Sequence, residues 1–216
     1  MINERAFLGY SLDYQGICMI YPPKVSEIIS EKYYPVYREL LVKSEEDLEE
    51  DWDKKGYEGT PPTPFEFLFR AIENSEESLE IARRAFFFFI RENVTFLVKE
   101  RVIVIGNLAE EVQKKSVQDL RLLTADNYLG FQNLVRSALG QDEFSPYQPP
   151  PGEHPRITEM KRKARLRDRV KRKQASKDGL DLGSTLAVIC CMEFGLNPLN
   201  IGEISYAAVG PLIRYY

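Results

Sequence analysis

The sequence predicts an α+β fold that is mainly α. A helical body carries two short β-hairpins, and a basic helix and an apolar C-terminal αα-hairpin follow it. Three observations lead there. Helix-start signals and helical apolar spacing recur from residue 25 to 140. Only two stretches have the β-branched or aromatic, turn-centred pattern of paired strands. Charge, proline content and hydropathy then change together after residue 140.

The first hairpin is predicted from Ala6–Leu12, a turn at Asp13-Tyr14-Gln15-Gly16, and Ile17–Tyr21. Pro22-Pro23 ends it. Val25, Ile28 and Ile29 share one face of a short helix, and Tyr33–Val42 reads as another. Ser44 precedes Glu45, Glu46 and Asp47, an N-cap with acids in the first turn, where the helix dipole favours them. That helix carries seven acids between Glu45 and Asp53, which predicts either a solvated face or an acidic docking surface. Thr63-Pro64-Phe65-Glu66 is a capping box with proline at N1.

Glu76–Ile90 is the most informative segment. Leu79, Ala82, Phe86, Phe89 and Ile90 have helical spacing. Yet Phe86-Phe87-Phe88-Phe89 turns about 100° per residue and so circles the helix. This is either a central helix covered on several sides or one with a partner interface. Val94–Val98 and Arg101–Ile105 form the second hairpin around Lys99-Glu100. Asn107-Leu108-Ala109-Glu110 opens a helix to about Lys115. Thr124 caps one carrying Tyr128, Phe131, Leu134, Val135 and Leu139, stopped by Gly140.

Five prolines within residues 141–155 (Pro146, Pro149, Pro150, Pro151 and Pro155) predict an extended linker and a boundary between a body, 1–140, and a C-terminal unit, 156–216. From Arg156 to Asp178 there are eleven Lys/Arg against three acids, a net +8. The chain's −4 less this +8 leaves −12 on the rest. The near-neutral total is a cancellation. The basic helix has few apolar residues: Ile157, Met160, Ala164, Leu166 and Val170. Three readings stand: a solvated helix, a docking element for an acidic surface on this chain or a neighbouring copy, and a nucleic-acid contact. No aromatic lies in 156–178 to stack on bases, so nucleic acid is the least favoured. Leu182–Phe194 predicts a buried helix. Asn200-Ile201-Gly202-Glu203 predicts the cap of a last one carrying Ile204, Tyr206, Ala208 and Leu212, with Pro211 ending or kinking it.

The small counts narrow the chemistry. The one histidine, His154, lies among the prolines, badly placed for a Ser-His or Cys-His site. Cys18, Cys190 and Cys191 have neither disulfide nor zinc spacing and predict reduced, buried thiols. Neither a Gly-x-Gly-x-x-Gly nor a Walker-type loop occurs, and no acid pair stands out as catalytic. No enzyme activity and no cofactor are expected. The N-terminus lacks the apolar run of a signal peptide. The longest apolar runs, Ala85–Ile90 and Leu186–Met192, fall far short of the ~20 residues of a membrane span. A cytoplasmic protein without a membrane partner is expected.

Lys161-Arg162-Lys163-Ala164-Arg165-Leu166-Arg167-Asp168-Arg169-Val170-Lys171, Leu182-Gly183-Ser184, Ile189-Cys190-Cys191-Met192 and Gly195-Leu196-Asn197-Pro198-Leu199-Asn200-Ile201-Gly202-Glu203-Ile204-Ser205-Tyr206 belong together. With Tyr21-Pro22-Pro23-Lys24, Thr63-Pro64-Phe65-Glu66, Val94-Thr95-Phe96 and Ile105-Gly106-Asn107, this set resembles tail assembly chaperone-like proteins of tailed bacteriophages and prophages of Gram-positive bacteria, encoded in the tail module near the tape-measure gene. The resemblance spans most of the chain and carries no catalytic residue. It implies a non-enzymatic factor in the bacterial host's cytoplasm that binds tail proteins such as the tape measure, with a possible homo-oligomer.

The alternatives are a structural tail component and a nucleic-acid binder using 156–177. The mechanism expected is a basic helix and C-terminal hairpin that swing on the proline linker to reach a client or a neighbour. Candidate contacts to an acidic partner or nucleic acid are Lys161, Arg162, Lys163, Arg165, Arg167, Arg169, Lys171, Arg172 and Lys173. Candidates for an apolar partner surface are Phe87, Phe88, Leu199, Ile201, Ile204 and Tyr206.

Overall fold

A computed structural model describes residues 3–73, 75–106, 120–141, 150–158, 160–162, 164, 165, 167, 182–191, 196 and 199–214. The fold is α+β and mainly α. Its elements run α1 (Glu4–Phe7), β1 (Leu12–Tyr14), β2 (Cys18–Ile20), α2 (Val25–Ser30), α3 (Tyr34–Val42), α4 (Glu45–Lys54), α5 (Pro64–Glu73), α6 (Glu76–Ile90), β3 (Val94–Leu97), β4 (Val102–Ile105), β5 (Leu122–Leu123) and α7 (Ala125–Ala138). Then come α8 (Leu182–Cys191), a 3₁₀ turn (Ile201–Glu203) and α9 (Tyr206–Arg214). Between α7 and α8, residues 155–158, 160–162, 164, 165 and 167 are helical. The predicted helix from Asn107 to Lys115 lies outside the described residues, as does 142–149 of the proline segment.

α6 is the central helix. Phe86, Phe88 and Phe89 are all buried, and only Phe87 faces out, 48% exposed. Phe86 lies parallel to Phe131 of α7 with ring centroids 5.3 Å apart, and edge-on to Phe96 of β3 at 5.6 Å. Phe88 meets Tyr34 and Tyr37 of α3 at 6.0 and 5.7 Å. Offset and edge contacts of this kind suit the ring quadrupoles and let several rings share one core.

Both sheets are antiparallel. β1 pairs with β2 in the register Leu12↔Ile20 and Tyr14↔Cys18. β3 pairs with β4 (Val94↔Ile105), and β4 with β5 (Ile103↔Leu123). Arg121, just before β5, forms a fork onto both oxygens of Glu92 at 3.2 and 2.8 Å, a geometry that fixes orientation as well as distance.

The caps at Ser44 and Thr63 form as predicted. Asp47 N–H donates to Ser44 Oγ (3.2 Å), and Glu66 N–H donates to Thr63 Oγ1 (3.2 Å). At the end of α3, two side chains of α7 supply donors to carbonyls that the helix leaves open. Gln132 Nε2 donates to Lys43 O (2.8 Å) and Arg136 to Val42 O (3.0 Å).

Four expectations are corrected. The first strand does not span Ala6–Leu12 but begins only at Leu12: Asn3 Oδ1 accepts from Arg5 N–H (3.1 Å) and Ala6 N–H (3.3 Å), which starts α1 instead. The last helix begins at Tyr206, because Asn200–Glu203 leads into a 3₁₀ turn. α9 also runs through Pro211 to Arg214. Proline offers no N–H to the Ala207 carbonyl four residues back, and that carbonyl abuts Gly140.

The fourth concerns the C-terminal hairpin, expected to swing on the proline linker. The segment after residue 199 is built into the body. Val25 N–H donates to Ile204 O (3.1 Å), Tyr206 N–H to Pro23 O (2.8 Å), and Ser205 Oγ to Ala6 O (2.9 Å). Val25 shares a buried apolar cluster with Leu186, Ile189, Ile201 and Val209, while Ala207 joins the main core. The described apolar residues of α8 and α9 find their cover on the body rather than standing off from it.

Candidate functional site

The predicted apolar surface does not come together as one patch. Phe88 is core, for the ring contacts given above. Ile201 is buried against Val25 and the α8–α9 pair. Tyr206 is half-buried, with its ring 6.3 Å from that of Tyr34. Phe87 is outward but lies in another groove, with Arg83, Arg84 and Arg91. Leu199 is 95% exposed, and Ile204 is half-buried at the surface.

A different apolar surface forms where α1 meets the C-terminal segment. A groove of about 460 Å³ is lined by Phe7, Leu8, Pro22, Ile204 and Ala208, with Lys24 and Glu203 at its rim. Leu8 is 63% exposed, and Tyr10 and Tyr21 are exposed as well. The Lys24 ammonium lies 2.6 Å from the Glu203 carboxylate, and that hydrogen bond and charge raise the lysine's pKa. The sequence predicts Leu8 inside the first strand of a hairpin. The available signal was Gly9, a left-handed residue (φ +77°) directly after the short helix.

The basic segment is only partly within the described residues. Lys163, Arg169, Lys171, Arg172 and Lys173 lie outside them. Lys161 pairs with Glu153, and Arg162 pairs with Glu49 of α4. Arg165 and Arg167 are exposed. Six of the seven acids of α4 are at or near the surface, but Glu49 is buried, and its cation comes from the basic segment. His154 begins that segment: its backbone carbonyl accepts from Ile157 N–H (2.8 Å), and Pro155 follows as the first helical residue.

Lys43 ties α4 to the body. It pairs with Glu39 and lies 2.6 Å from Asp51, and its ammonium lies 5.2 Å from the Phe67 ring centre. Burial opposes its charge, but the Asp51 and Glu39 carboxylates outweigh that and raise its pKa. It is a fixed cation rather than a nucleophile. Burial, with the Glu92 charge nearby, pushes the Cys18 thiol up to about 12, partly offset by Arg121. Such a thiol is not poised to react.

Among the described residues, no group of three or more His, Cys, Asp or Glu could hold a metal ion, and no helix is long and apolar enough to cross a membrane. No protein-family model, no curated protein and no solved structure matches the chain.

Proposed function

We propose that this protein is a non-enzymatic tail assembly factor of a bacteriophage or prophage, a chaperone that binds apolar helices of tail proteins such as the tape measure in the host cytoplasm. The observation that carries the reading is the groove of Phe7, Leu8, Pro22, Ile204 and Ala208. Leu8, Tyr10 and Tyr21 extend the apolar character of its α1 and Pro22 side onto open surface, and Leu199 adds an exposed leucine two residues before the 3₁₀ turn. An amphipathic helix lays its apolar face into such a groove, and its polar face meets the Lys24–Glu203 rim. The resemblance to tail-module proteins supplies the biological setting, and the groove supplies a place for a client.

Coexpression with the tape-measure protein of the same genome tests this. The chaperone keeps the tape measure soluble and co-purifies with it, and Leu8→Asp abolishes both effects. An unchanged tape-measure solubility with no co-purification contradicts the reading. Recovery of the protein in finished particles supports the alternative, a structural tail component.

A further inference from the structure

The helical residues from 155 onward have two opposed faces. At about 100° per residue, Arg162 points to one side, where it meets Glu49 of α4. Ile157, Met160 and Ala164 fall on the other side. Lys161, which pairs with Glu153, and Arg165 border that stripe on one flank, and Arg167 borders it on the other. Exposure follows the same division. Ile157 is 48% and Met160 65% exposed, Ala164, Lys161, Arg165 and Arg167 are exposed, and Arg162 is half-buried. The helix therefore sits on α4 by its Arg162 side and presents an apolar stripe between cationic borders.

We propose that this outward strip is a docking site for an acidic amphipathic helix of another protein, one whose apolar stripe is bordered by carboxylates. Charge complementarity selects that occupant. The opposite side of the same segment already takes an acidic helix, α4. A lipid bilayer or a nucleic-acid duplex is an extended polyanion and would bring its field against a body that carries −12 outside the basic segment. A single helix engages the strip alone. The strip has no aromatic residue for bases, and too little apolar side chain to enter a bilayer. A second copy's basic helix is repelled, and on its α4 Leu48 is buried and Trp52 half-buried against Tyr57, which leaves no continuous apolar stripe between the acids.

The experiment titrates the full-length protein with a synthetic helical peptide carrying a leucine stripe bordered by glutamates. Its lysine-bordered counterpart, phosphatidylserine vesicles and duplex DNA are run in parallel. The acidic peptide binds and the lysine-bordered one does not. Met160→Glu and the pair Arg165→Glu/Arg167→Glu each weaken binding about tenfold or more, and added salt weakens it. Phe87→Asp, at an exposed site elsewhere, leaves it unchanged. All these side chains are exposed, and an unaltered unfolding midpoint verifies that each variant folds.

Failure of the acidic peptide to bind, or a folded Met160→Glu variant that binds as tightly as wild type, overturns the proposal. So does tighter binding to vesicles or duplex than to the peptide. The probe contains no tail protein, so a negative result here leaves the tail-assembly reading untouched, and failure of the coexpression test leaves this strip standing.

Discussion

Gly140 shows how one residue can be fixed by two independent demands. Its φ is +66°, the left-handed region that L side chains rarely adopt, and a Cβ there would lie 2.7 Å from the Ala207 carbonyl oxygen. Neither neighbour is a flexible side-chain tip, since the contact is with the backbone of α9. Gly140→Ala should cost about 1–3 kcal/mol, read as a lower denaturant midpoint. An unchanged midpoint would show that α9 moves aside freely.

Buried acids of the weak kind set the alkaline limit. Burial, with the Glu31 carboxylate beside it, pushes Tyr37 up to about 12 from an ordinary 10.0, and Cys18 rises to about 12 from 9.0. Tyr14, Tyr34 and Tyr128 are raised too, chiefly by burial. The folded chain keeps these protons beyond the pH at which the unfolded chain releases them. Their contribution to stability is therefore complete below pH 9 and is lost as pH rises toward about 12. Chemical unfolding followed at stepped pH should show a midpoint that falls across that window. A midpoint flat to pH 12 would contradict the assignment.

At the scale of elements, α6 separates packing from display within four consecutive phenylalanines. Phe86 is fully buried and touches Phe96 and Phe131, so Phe86→Ala should cost about 3–5 kcal/mol. Phe87→Ala removes a ring that is half in solvent and should shift stability by no more than about 0.5 kcal/mol. Paired thermal melts read both. Equal effects would mean that Phe87 packs as deeply as its neighbour.

Much of this is legible in the sequence. The tetrad's 100° stepping implied either a central helix or one with a partner interface, and Ser44 and Thr63 marked helix starts because capping is a local interaction. What stayed hidden depends on distant partners. Ala6–Leu12 has strand-like composition, and only the Asn3 cap turns its first residues into α1. β5 is two residues long, too short for any periodicity, and exists because β4 offers it an edge. Burial of Phe88 and Ile201, exposure of Leu8 and the Arg162–Glu49 pair are tertiary facts that no spacing rule encodes.

At the scale of the whole molecule, the −4 net charge resolves into an acidic body and a basic segment that meet within one chain, at Glu49 and Arg162. The described C-terminal residues pack on the same core as the body. Three hydrogen bonds join residues 204–206 to Ala6, Pro23 and Val25, and both apolar clusters draw on residues from either side of 142–149. Equilibrium unfolding should therefore be one transition by tryptophan fluorescence and by far-ultraviolet circular dichroism. Two separated transitions would show an independent C-terminal domain.

The central claim is that the surface joining α1 to the C-terminal segment receives an apolar client helix. Hydrogen–deuterium exchange on the protein alone and mixed with the tape-measure protein of the same genome, the proposed client, tests it most directly. New protection should be concentrated at residues 7–10 and 199–208. Protection confined to other surfaces, such as the Phe87 groove, with residues 7–10 exchanging as in the free protein, would contradict it.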